Sequence, residues 1–143
     1  LFAVFEGGRV AVGEGLLARR PDLVSYTGRR VAMGVRPEDV KECAEHRDFP
    51  ADRRLSVHIE LVEALGSGIE VHFAFPGERI PRPTDDNGDS AVVGLPGEAV
   101  EANAWVGTFG PRSLVEDGQT VEIGLDTDQA YFFDLDTGLA IRT

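Results

Sequence analysis

Lysine is almost absent from this chain, and the lack is chemically decisive. All but one of the 14 basic residues are arginine, and the exception is Lys41. A phosphate-binding loop needs a lysine after a glycine-rich turn, where backbone N–H groups cradle the phosphates. Lys41 sits in Asp39-Val40-Lys41-Glu42, flanked by acids and without a glycine nearby. The residues therefore exclude a P-loop ATPase contained in these 143 positions. Basic charge as a whole is scarce, and the formal net charge is −11. Nucleic-acid binding draws its affinity from phosphate neutralisation, and docking on anionic lipid does the same, so no nucleic-acid partner is expected. Cysteine is represented by Cys43 alone, which excludes an internal disulfide and fits a reducing compartment. Long apolar runs are missing too. None approaches the roughly 20 residues that cross a bilayer, and Leu1–Phe5 lead into Glu6-Gly7-Gly8 without the basic flank of a signal peptide. The first residue is not Met, and the expectation is a piece of a longer protein.

What is present is a period of two. Leu55, Val57, Ile59 and Leu61 alternate with Ser56, His58 and Glu60, and Val71, Phe73 and Phe75 alternate with His72 and Ala74. Gly66-Ser67-Gly68 between them reads as the turn of a hairpin. This register puts Ile59, Leu61, Val71 and Phe73 inside and Glu60, Glu70 and His72 in solvent. Further short strands are expected at Phe2–Glu6, Arg9–Val12, Arg30–Val35, Ala99–Val106, Thr120–Leu125 and Ala130–Phe133. Helix signals are confined to Leu16–Leu23 and to Pro37–Glu45, where proline and two acids suit a first turn. Pro76–Pro96 is rich in Pro, Gly, Asp and Asn and reads as a mobile acidic loop. The whole, 1–143, reads as one all-β domain, a barrel or sandwich with minor helical turns.

Candidate chemistry is sparse. Asp136-Thr137-Gly138 matches the aspartic-protease tripeptide, but the second carboxylate that this chemistry shares a proton with has no counterpart motif. A tight turn is the better reading, with Asp136 bonded to local backbone and Gly138 at positive φ. The acids Asp126, Asp128, Asp134 and Asp136 lack the spacing of a calcium loop. In the drawn hairpin His58, Glu60, Glu70 and His72 share the polar face, which could bind zinc or be a solvated set of cross-strand pairs. Acidic neighbours of Cys43 disfavour its thiolate. No catalytic, cofactor-binding or metal-binding residue is assigned on this basis.

Four segments, in order, carry a resemblance: Met33-Gly34-Val35-Arg36-Pro37-Glu38-Asp39-Val40, Val62-Glu63-Ala64-Leu65-Gly66-Ser67, Pro111–Val121 and Phe132-Phe133-Asp134-Leu135-Asp136-Thr137-Gly138. Together they resemble the C-terminal TOBE domain of ATPase subunits of sugar and glycerol-phosphate ABC importers. The resemblance implies an antiparallel barrel of the oligonucleotide-binding (OB) type, following a nucleotide-binding domain absent from this sequence. It implies a non-catalytic role in regulation and dimerisation on the cytoplasmic face of the membrane. The implied partners are a second copy of the subunit, permease subunits reached through the missing ATPase domain, and a regulatory protein. Arg36, Pro37 and Glu38 match its most recognisable motif, and Gly118, Gly124 and Phe133 match its closing strands. Phe132 and Phe133, beside Tyr131, are the candidate contact residues, since alternation turns one of the two outward. Two other classes stay open: a small-oxyanion sensor of the molybdate type, because a sister group of TOBE domains resembles such modules, and a zinc-binding domain.

Overall fold

A computed structural model describes residues 1–76 and 104–142 of the chain. Nine strands occur among the described residues, and every pairing between them is antiparallel. Strands β1 (Phe2–Phe5) and β2 (Gly8–Ala11) form a hairpin, with Phe5 opposite Gly8. Helix α1 (Glu14–Arg19) and a 3₁₀ turn over Pro21–Tyr26 follow. The expected helix over Leu16–Leu23 is thus divided, and Pro21, which lacks an N–H, opens the second turn instead of continuing the first. Strand β3 (Val31–Gly34) pairs with β9 (Tyr131–Asp134).

The principal sheet has the order β4-β8-β5-β6-β7, built from β4 (Val40–Glu42), β5 (Arg54–Ala64), β6 (Ile69–Ala74), β7 (Ala104–Phe109) and β8 (Thr120–Leu125). Its two outer strands curl toward each other. A Cβ on Gly107 of β7 would stand 2.9 Å from Cγ1 of Val40 of β4, so the glycine lets the edges meet. The result is the nearly closed, OB-like antiparallel barrel that the sequence leads one to expect. No helix among the described residues is long and apolar enough to cross a membrane.

The expected helix over Pro37–Glu45 is corrected. Only Pro37–Asp39 winds, as a 3₁₀ turn, and Val40–Glu42 is strand β4. Tertiary demand overrides the local signal here: Val40 is fully buried and Glu42 is buried as well, its carboxylate accepting the Ser113 Oγ–H at 2.7 Å. Each would be wasted on an exposed helical turn.

The hairpin register is also corrected at one residue. Ile59 stands opposite Phe73 but Leu61 stands opposite His72, so a β-bulge inserts an extra residue at Glu60. Before the bulge the alternation holds, with Val57, Ile59, Val71, Phe73 and Phe75 buried. After it the strand has rotated by one position. Leu61 is 41% exposed and Val62, opposite Val71, points inward in its place.

The barrel core comprises Val10, Val40, Val57, Ile59, Val71, Phe73, Phe75, Phe109, Val115, Ile123 and Leu125. A second cluster gathers Val12, Leu16, Leu23, Ala130, Phe132 and Ile141 under α1 and the β3–β9 pair. Ala3, Met33 and Val35 pack against both. The loop expected over Pro76–Pro96 lies outside the described residues beyond Pro76, as does the part of the Ala99–Val106 strand that precedes Ala104.

Candidate interaction surface

The β3–β9 pair presents two faces of opposite character. Register sets Met33 against Phe132 on one face, and Ala32 against Phe133 and Gly34 against Tyr131 on the other. The first face turns into the second core, where Phe132 is 3% exposed. The other carries Tyr131 and Phe133 side by side over two small residues, and both rings are half-buried. Phe132 as a contact residue is therefore corrected: alternation sends it inward, and Tyr131 with Phe133 forms the outward pair.

Arginine flanks this outward pair. The guanidinium of Arg36 lies 5.0 Å from the Tyr131 ring centroid and that of Arg20 lies 5.5 Å from it. Cations over a tyrosine face gain about 0.5–1 kcal/mol at exposed sites. Arg36 reaches the ring because Pro37 opens the 3₁₀ turn after it, which fixes where the chain leaves β3. Glu38 and Pro37 themselves are exposed. Sequence reasoning picked out Arg36 but missed Arg20, whose separation from Arg36 in the chain gave no signal.

Beside the pair runs a polar network. Tyr26 donates its hydroxyl to Asp134 Oδ2 at 2.7 Å, and the Arg29 guanidinium stacks over the Tyr26 ring at 4.6 Å. The same arginine lies 4.0 Å from Asp134 and 3.7 Å from Asp136. The hydroxyl bond holds the Asp134 carboxyl below the usual carboxylate range, helped by N–H groups of Thr137 and Asp136. It also pushes the Tyr26 phenol up, because ionisation would lose the bond. Asp134, not the expected Asp136, thus ties the closing turn, while Gly138 takes positive φ (69°) as anticipated.

The two glycines of the closing strands serve different ends. Gly118 has φ 83° with nothing crowding it, and it makes the turn before β8, where its N–H bonds Ile59 O. Gly124 has no such backbone need. A Cβ there would clash with Cε1 of Phe49, so it is a packing position within the subunit.

Elsewhere the four-residue face imagined for zinc is split by the bulge. His58 stands opposite Thr120 of β8 and is not among the side chains that gather with Glu70 and His72. Glu63 takes a place opposite Glu70 instead, and Glu63, Glu70 and His72 each offer a ligand atom within 4.8 Å of the others. A shallow groove of about 440 Å³ is lined by Glu42, Cys43, Ala44, Arg47, Arg54, Val121 and Glu122. Burial raises the Cys43 thiol pKa and outweighs the nearby Arg54, so burial dominates over the acidic neighbours first held responsible. Arg54, which lines the groove, is spent on Glu122 and on the carbonyls of Arg47 and Phe49. These commitments work against an oxyanion site in the groove.

No protein-family model matches the chain. It is 30% identical over 146 aligned positions to the trehalose/maltose import ATP-binding protein MalK of Thermococcus litoralis, covering 96% of this chain and 32% of that protein. It is 29% identical over 128 positions to the trehalose import ATP-binding protein SugC of Mycobacterium tuberculosis, covering 87% of this chain and 30% of that one. The chain spans about a third of the length of the curated relatives it matches. Its homologues are thus ATP-binding subunits of sugar ABC importers, and the similarity runs along nearly the whole of the sequence.

Proposed function

We propose that this chain is the C-terminal, non-catalytic domain of the ATP-binding subunit of a sugar ABC importer, and that it regulates and dimerises that subunit at the cytoplasmic face of the membrane. Homology supplies the importer setting. The observation that carries the contact role is the outward face of β3–β9, where Tyr131 and Phe133 lie over Ala32 and Gly34 between flanking arginines. Tyrosine, phenylalanine and arginine are the side chains enriched in protein interfaces, whereas lysine, glutamate and aspartate are depleted. The small residues opposite the rings keep the face flat enough for a second copy to approach. A regulatory protein is the other occupant of such a face, and the permease subunits are reached through the ATPase domain.

Ala32 shares this face and offers a direct test. In the complete subunit, with Cys43→Ser as background, Ala32→Cys is expected to give an oxidation-dependent crosslinked dimer. Thr108→Cys, on the exposed part of β7, is expected to give no crosslink under the same conditions. Crosslinking at position 108 but not at 32 would place the contact on the barrel and defeat the assignment.

A further inference from the structure

We propose that the bulged hairpin β5–β6 carries a site for a late first-row divalent metal ion, of the zinc type, held by Glu63, Glu70 and His72. The bulge at Glu60 creates it. In a regular hairpin continuing from the Ile59–Phe73 pair, Glu63 would not face Glu70. With one residue inserted, the two stand directly opposite across the strands. Like charges so placed repel each other unless a cation lies between them. Glu70 and His72 are two apart on β6 and so share that face.

The distances suit a single ion. His72 Nε2 lies 3.2 Å from Glu70 Oε1 and 3.9 Å from Glu63 Oε2. Ligands at zinc bond lengths of ~2.1 Å can be at most ~4.2 Å apart, so both pairs already fit one ion. All three ligand atoms lie within 4.8 Å of one another, so at most about 0.6 Å has to be taken up by the exposed Glu63 side chain. The nitrogen itself gives the second indication. Nε2 is sealed from solvent and makes no hydrogen bond, although a carboxylate oxygen is near it. The Glu70 oxygen is close enough to bond but does not, and an ion held among the three groups would satisfy the nitrogen and both carboxylates together. One imidazole with two carboxylates favours zinc and its late first-row neighbours over calcium or magnesium, which take oxygen donors. Three protein ligands leave a coordination position for water or for a donor from a partner. This inference does not depend on the transporter reading.

Calorimetry of the chelator-treated chain with Zn(II) is expected to give one ion per chain. His72→Gln and Glu63→Gln should each weaken binding about tenfold or more, since even outer-shell changes cost that much at zinc sites. His58→Gln should leave it unchanged. Should a variant misfold, the unaltered chain still decides the matter through Co(II) titration followed by NMR of its three histidine rings. Paramagnetic shift or broadening strongest at His72 supports the site. Broadening centred on His46 or His58, unchanged affinity in His72→Gln, or no Zn(II) binding at millimolar concentration would each overturn it.

Discussion

Phe73→Ala is expected to lower the unfolding free energy by about 3–5 kcal/mol, the usual range for emptying a fully enclosed phenylalanine site. Phe73 has no exposed surface and stands between Ile59 on β5 and Trp105 on β7, so its ring spans three strands of the barrel. The Trp105 ring lies 6.5 Å away, centroid to centroid, and stacks in turn on Phe75 at 4.1 Å. Phe73 is fully enclosed and its neighbours sit on paired strands, so the backbone cannot move in to fill the vacancy cheaply and the cost falls in the upper part of the range. Because domain stabilities are themselves about 5–15 kcal/mol, the variant should be near its unfolding threshold at physiological temperature. Urea denaturation checks this, with Leu114→Ala as the reference. Leu114 is 89% exposed, and its truncation should change stability by no more than about 0.5 kcal/mol. Equal effects at the two positions would show that the barrel core is not organised around β6.

Asp128→Ala comes second, at about 2–4 kcal/mol, because one carboxylate joins three separated parts of the chain. Its Oδ1 accepts the Leu16 N–H at 3.1 Å and its Oδ2 accepts from Arg53 Nη1 at 3.1 Å. Helix α1 has Gly13 at its N-cap and makes no side-chain cap bond of its own, so Asp128 supplies the cap from a distance. Gly13 and Gly15 make room for it: a Cβ at position 15 would stand 2.9 Å from Oδ1. Charge-assisted bonds of this kind contribute about 1.5–3 kcal/mol each, and partial exposure of Asp128 reduces that.

The same residue fixes a pH dependence. Burial pushes the Asp128 carboxyl up, but the Arg53 bond and the N–H groups of Leu16 and Gly15 outweigh it, and the folded-state pKa lies below the ordinary value. A depressed carboxylate pKa means that its stabilisation is complete above the unfolded value of about 3.9. It is lost as pH falls through the lower folded value. The stability gap between the native chain and Asp128→Ala should therefore be constant from pH 7 to about 5 and shrink below about 4. Thermal unfolding across that range measures it. A gap that persists unchanged at pH 2 would mean that the side chain contributes by packing and not by charge.

The strands, the hairpin turn and the inward set on β6 were legible because period-two alternation encodes burial directly. Leu61 was misplaced because a bulge costs no unusual residue here: Glu60 is an ordinary strand position in composition, and only its partner register reveals the insertion. Glu63 escaped notice for the same reason. The Pro37–Glu45 helix failed because its N-terminal signals are genuine but local, while Val40 and Glu42 answer to β8 and Ser113, far along the chain. On the proposed contact face, Phe133 was readable from alternation. The clamp of Tyr131 between Arg20 and Arg36 was not, since it joins residues that share no periodic relation.

The proposed function makes the outward face of β3–β9 the place where this domain meets another protein chain. Its most direct test is the complete subunit carrying Phe133→Ser together with Tyr131→Ser, studied by sedimentation equilibrium alongside sugar uptake. The expected result is weaker self-association and reduced uptake, with a melting temperature lowered only slightly, since both rings are half-buried and Phe132 keeps the core beneath them. A large fall in melting temperature, with association and uptake per folded subunit unchanged, would contradict the claim and make the two rings part of the interior.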